Sequence, residues 1–239
     1  MTPVAPVFAN IYNSFPLKDM KWKRTNSQKA VIPPDASQLQ WLDDPTLSAA
    51  INELAQLEFS QTDIKYLNNI AVILPFKSGK EAFEFIKNSN IRISFEKTSS
   101  KHIHAQYDYG KNLIMINDMY KNNQDFPVIL AIAEAILHEC GHAKDNDGDS
   151  SIQEEICNLG MNATAHRAFV KKYGDIFKES DALIIKDGVS VYSTIYFDPD
   201  PDKKELVRRI RSKYGYLPVG DMLHPPSPLA FRIKDKNSL

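Results

Sequence analysis

Apolar residues recur along this chain at two spacings, and the elements follow from which spacing holds. Residues 1–43 show neither. Pro16, Pro33 and Pro34, with scattered Asn, Ser and aromatics, predict an irregular Pro-rich arm. Asp44-Pro45 is a helix start with Pro in the first turn, and Leu47, Ile51 and Leu54 then share one face. Residues 63–75 fit two readings, because Ile70-Ala71-Val72-Ile73-Leu74 suits a buried helix or a strand before Pro75. Ser78 caps a short helix to about Lys87, with Phe83 and Ile86 inward. The period then changes to two. Ile91 to Phe95 alternates, and so does His102 to Tyr109, with Ile103, Ala105 and Tyr107 on one face. The turn Tyr109-Gly110-Lys111-Asn112 leads into the apolar run Leu113 to Asn117, which predicts a hairpin.

A helix over 127–143 follows, a loop over 144–150, and a second helix from Ser151 to about Lys172. Farther on, the pattern predicts a helix over Phe177–Ile185, a strand over Val189–Phe197, a charged helix over Asp202–Tyr214 and a Pro-rich tail from Leu217. The fold class expected is α+β. One domain spans 44–239, its core lies at about 91–172, and further helices lie toward the C-terminus.

Composition narrows the function classes. The chain has 239 residues, 43% hydrophobic and 25% charged, with a net charge of -1. No basic field argues for nucleic acid. No uninterrupted apolar run approaches the roughly 20 residues that span a bilayer, so no membrane partner is expected. The start MTPVAPVFANIY lacks a basic n-region and is broken by Pro3 and Pro6, unlike a signal peptide. A cytoplasmic protein is expected, or a secreted effector or toxin whose export signal lies outside these residues. Cys140 and Cys157 are the only cysteines, too few for a disulfide framework. They read as small buried thiols, with a redox-sensitive pair or a soft extra metal ligand as the sharper alternative.

The chemistry sits in the helix over 127–143. Val128 to Leu137 is apolar except for Glu134, and His138-Glu139-Cys140-Gly141-His142 follows. Two His at i and i+4 share a helix face and can reach one ion, and the intervening Glu can deprotonate the water beside it. Catalytic zinc takes a third protein ligand. The next helix offers Glu154 and Glu155, and spacing and periodicity do not choose between them. Ile152, Ile156, Leu159 and Ala163 mark one apolar face with Glu155 at its edge, while Glu154 lies with Cys157, Met161 and Ala165. A His six positions after His142 is absent, since Gly148 stands there. Two cysteines exclude a Cys-rich structural zinc site. Asp145 is a candidate to orient His142. Asp145, Asp147 and Asp149 do not form a calcium loop, because Ser150 and Ile156 occupy its Gly and Glu positions. His102 and His104 read as a polar strand face, and His166 as structural or surface.

Hairpin, His-Glu-x-x-His helix and Glu helix, in that order, resemble the zincin metallopeptidases, and the Glu helix resembles the gluzincin branch. Glu154-Glu155-Ile156-Cys157-Asn158 is similar to the Glu-x-x-x-Asn helix of ImmA/IrrE-type peptidases. His138 to Asp145 is similar to the variant in anthrax lethal factor-like peptidases. The resemblance covers roughly residues 100–170. It implies one Zn²⁺ per chain held by His138, His142 and Glu154, with Glu155 the alternative ligand. It implies Asn158 accepting a hydrogen bond from His138, Glu139 as general base, and a protein or peptide substrate laid along strand 102–109 or its neighbour. A Tyr or His would steady the oxyanion; the candidates are Tyr192, Tyr196, Tyr214, Tyr216 and His224. A zincin-fold regulatory or binding protein with little or no catalysis is the alternative function, and a chance His pair on a helix surface is the third reading.

Overall fold

The computed structural model describes residues 43–145, 150–178, 180–186, 193, 196 and 197. The arm before Asp43, residues 146–149 of the loop, the charged helix expected over 202–214 and the Pro-rich tail lie outside the described residues. The architecture is mixed α+β, with six α-helices, a short 3-10 helix at Asp118–Tyr120 and a three-stranded sheet among those residues.

α1 (Pro45–Ala55) starts as its sequence predicts. The Asp44 carboxylate accepts from the amides of Thr46 and Leu47, at 2.9 and 3.1 Å, satisfying two of the orphan donors of the first turn. Leu47, Ala50, Ile51 and Leu54 are buried. α2 (Gln61–Asn69) ends before the ambiguous run, and Ala71 adopts a φ of 60°. The stretch Ile70–Leu74 therefore continues neither as helix nor as strand. Ser78 caps α3 (Gly79–Asn88), its hydroxyl accepting from Glu81 N at 3.1 Å.

β1 (Arg92–Glu96), β2 (Ala105–Asp108) and β3 (Leu113–Asn117) form a mixed sheet in the order β1-β3-β2. β3 is central, antiparallel to β2 in the expected hairpin and parallel to β1. Ile114 lies between Ile93 and Tyr107, and Ile116 lies between Phe95 and Ala105. β2 is shorter than the alternation suggests. His102 and His104 precede it, and His104 Nδ1 shares a hydrogen bond with the Tyr120 hydroxyl at 2.8 Å.

α4 (Phe126–Asp145) is the central helix. The sheet packs on it through β2 and β3, and α1, α3, α5 (Ile152–Tyr173) and the short α6 (Leu183–Lys186) cover other sides. By length and composition α4 could cross a bilayer even though polar residues interrupt its apolar run. Yet 78% of its most apolar 18-residue window is buried inside the fold, as in a core helix. Two expectations for the later chain need correction. Among the described residues of the 177–185 stretch, α-helix begins only at Leu183, the start of α6. In the region read as a strand, Phe197 N donates to Ser193 O at 3.3 Å, a helical turn. A window of nine residues with mixed apolar spacing fits either period, and packing decided it.

α5 runs antiparallel to α4, because Glu134 meets His166 and Gly141 meets Asn158. The first pair explains the one charge in the apolar half of α4. Glu134 Oε1 lies 3.1 Å from His166 Nδ1, both side chains are buried, and the Phe177 ring covers His166 at 4.6 Å. Burial raises the Glu134 pKa above its usual value, against the effect of His166. For His166, burial acts downward, and the Glu134 contact outweighs it and raises the pKa above 6.5. Both groups bind protons more tightly in the folded chain, so the His166 contribution is complete below pH 6.5 and is lost as pH rises through its raised value, while that of Glu134 is complete only below 4.5. His166→Ala should lower the unfolding free energy by about 3–5 kcal/mol near pH 6, since it strands a buried carboxylate. Urea denaturation across a pH series should show the gap from wild type narrowing at alkaline pH.

Candidate metal centre

The site forms where the last turns of α4 meet the first turns of α5. His138 and His142 stand one turn apart on α4, with their Nε2 atoms 3.2 Å apart. Glu155, from α5, places Oε2 at 3.5 Å from His138 Nε2 and Oε1 at 3.3 Å from His142 Nε2. Among the described residues this is the one group of three or more His, Cys, Asp or Glu side chains close enough to hold a metal ion. Ligand bonds of about 2.1 Å in a tetrahedron put neighbouring donor atoms about 3.4 Å apart. The separation of the two Nε2 atoms falls near that edge length, and each imidazole meets a different oxygen of Glu155 at a similar distance. Two imidazoles and one carboxylate are also a donor set that suits zinc.

Glu154 does not face this cluster, contrary to the expectation that it is the third ligand. Its carboxylate is drawn back by the helix start. The Ser151 hydroxyl accepts from Glu154 N at 3.1 Å, and Glu154 Oε2 accepts from Ser151 N at 3.0 Å, a closed capping box. The other oxygen, Oε1, lies 2.7 Å from His142 Nδ1. Glu154 thus holds the back of the ring whose front meets Glu155, the arrangement by which a carboxylate fixes an imidazole tautomer. The sequence carries this signal as Ser151-x-x-Glu154, the capping-box spacing. Asp145 is not the partner of His142 Nδ1. Its charge instead raises the pKa values of Glu154 and Cys157.

Electrostatics follow from this packing. Burial acts to lower the His142 pKa. Hydrogen bonds to Glu154 and Glu155, and the charges of Glu155 and Glu139, outweigh it and hold the ring well above 6.5. Burial acts to raise Glu155, but its contacts with His138 and His142 hold it well below the usual carboxylate range. Glu155 is therefore an anion ready to meet a cation. Glu139 is buried beside the cluster, 8% exposed, and its charge reaches His142 and Cys140. The cysteines stay outside the cluster as buried free thiols. Burial pushes Cys140 well above 9 and Cys157 up to about 12, which leaves little thiolate for oxidation or ligation.

Two further expectations change. Asn158 does not bond His138. Both its amide atoms are buried with no hydrogen-bond partner among the described residues, and the amide lies against Gly141. Tyr196 is fully buried and donates to the Ile156 carbonyl at 2.5 Å, so it is not an oxyanion donor. Tyr192, Tyr214, Tyr216 and His224 lie outside the described residues. Set beside known proteins, the chain matches no family model, no curated protein and no solved structure.

Gly141 is one of the two residues that the motif leaves unspecified, and the packing requires it. A Cβ there would sit 2.0 Å from Asn158 Oδ1 and 2.5 Å from Asn158 Cγ. Helix propensity alone favours Gly→Ala by about 1 kcal/mol. Gly141→Ala should instead destabilise the chain by about 1–3 kcal/mol through overpacking. Adding Asn158→Ala should restore most of the loss in a denaturation double-mutant cycle.

Proposed function

We propose that this chain is a zinc-dependent peptidase of the gluzincin type, with His138, His142 and Glu155 as ligands and Glu139 as general base. The observation that carries the reading is the convergence of His138, His142 and Glu155 on consecutive helices, with one ligand atom from each lying within 4.8 Å of the others. The ion, when bound, supplies a Lewis acid for polarising a peptide carbonyl and activating water.

The chain's own residues do the rest. Glu139 is one residue round from His138, so it would stand near a bound ion without being needed as a ligand. It takes a proton from the attacking water and returns it to the leaving amine. Glu154 keeps His142 in the tautomer that offers Nε2 to the ion. β2 pairs on one side only, with β3, among the described residues. Its outer edge is suited to an extended peptide backbone, which makes a protein or peptide the substrate. A regulatory protein with the same frame and no turnover would have no use for Glu139, and this favours the enzyme.

Elemental analysis should find about one zinc per chain. Glu139→Gln should retain that zinc and lose peptide cleavage by about 100-fold or more. A variant that keeps both would sink the assignment, and a zinc-loaded wild type inert toward a broad peptide library would favour the binding protein. Glu155→Ala should lose the metal outright. Glu154→Gln should still bind it, about 10–100-fold more weakly. The reverse ranking, read by chelator competition, would restore Glu154 as ligand.

A further inference from the structure

Tyr196 and Phe197, from the later chain, are seated against α5. Ile156, Gly160, Ala163 and Arg167 recur at three- and four-residue spacing and form one stripe of that helix. The Tyr196 ring rests over Gly160, where an added Cβ would lie 3.1 Å from its Cε1 atom and 2.6 Å from Val72 Cγ1. Its hydroxyl reaches the Ile156 carbonyl at 2.5 Å. A helix carbonyl has a second lone pair, so it can accept this bond as well as the one from the amide four residues on. Next to Tyr196, the Phe197 ring lies under the Arg167 guanidinium at 4.3 Å and stacks on Tyr66 at 5.8 Å. Arg167 Nε in turn donates to Asp63 on α2 at 3.0 Å. These two residues are therefore wedged between α2 and α5.

Its place on α5 matters. Ile156 directly follows Glu155, and its stripe lies about 100° round the helix from the stripe that faces α4. On the α4 side the first turns of α5 meet His138, His142 and Gly141. On the back they meet Tyr196. The helix start is thus gripped from two directions, and the hydroxyl bond sits one residue from the carboxylate that faces both histidines.

We propose that Tyr196 is a positioning residue for Glu155, setting the rotation and depth of the α5 start against the histidine pair. This rests on the metal reading above. It makes ligand geometry depend on the docking of the later chain, through a bond that touches no ligand.

The test compares two variants of the full chain that each remove one buried hydroxyl bonded to an α5 carbonyl. Tyr196→Phe keeps the ring on Gly160 and loses the bond to Ile156. Thr164→Val loses the bond from the Thr164 hydroxyl to Gly160 O, 2.9 Å, farther along the helix. Zinc affinity is read by competition with a chromophoric chelator, and the visible band of the cobalt-substituted protein reports ligand geometry. Tyr196→Phe should bind zinc about tenfold more weakly with a shifted cobalt band. Thr164→Val should melt at a lower temperature with affinity and band unchanged. Arg167→Ala, which loosens the seat from the surface, should follow Tyr196→Phe to a smaller extent. Unchanged affinity in Tyr196→Phe, or an equal loss in Thr164→Val, overturns the proposal while leaving the metal reading intact. A wild type that binds no zinc overturns both.

Discussion

The structure depends on how closely α5 can approach α4. α4 is enclosed on nearly every side, so it acts as a fixed axis against which the other elements are set. Most of its surroundings are apolar and tolerate small adjustments. The α5 face does not. Glu155, Asn158, Asn162 and His166 recur along it at three- and four-residue spacing and meet Glu134, His138, Gly141 and His142 coming the other way. A seam of polar groups between two buried helices is costly unless its members meet in one register. Gly141 lets the backbones close enough for that register to form.

The seam is unevenly satisfied, and the unevenness is informative. At one end Glu134 and His166 neutralise each other. At the other, two imidazoles face one carboxylate while a second carboxylate holds His142 from behind. Between them Asn158 and the Asn162 carbonyl oxygen are buried without partners among the described residues. Buried polar groups left unpaired cost about 1–3 kcal/mol each.

Much of this was legible in the sequence. Asp44-Pro45 and Ser78 announced their helices, the alternation before Gly110 announced the hairpin, and His138 with His142 announced the centre. Local rules govern those features, so local patterns report them. What was misread depends on position in space. Glu154 and Glu155 are neighbours in the chain, and family likeness favoured the wrong orientation for the first. The capping box at Ser151 turns Glu154 toward the helix start and leaves Glu155 pointing across to α4. Family likeness suggested a bond from His138 to Asn158, but its amide lies against Gly141. Tyr196 was picked as a hydroxyl for chemistry, and the fold uses it to hold a helix.

The capping box has one more consequence. The contacts that begin α5 also grip the ring of His142, so the helix end cannot fray without releasing that ring. Helix ends open and close far more often than whole domains unfold. An ion held between His142 and Glu155 would escape through that same local opening, and its residence time would be set by the lifetime of one turn of helix. A slow-exchanging metal would then be kinetic evidence that Ser151 and Glu154 remain closed, with no reference to how tightly the ion itself is bound.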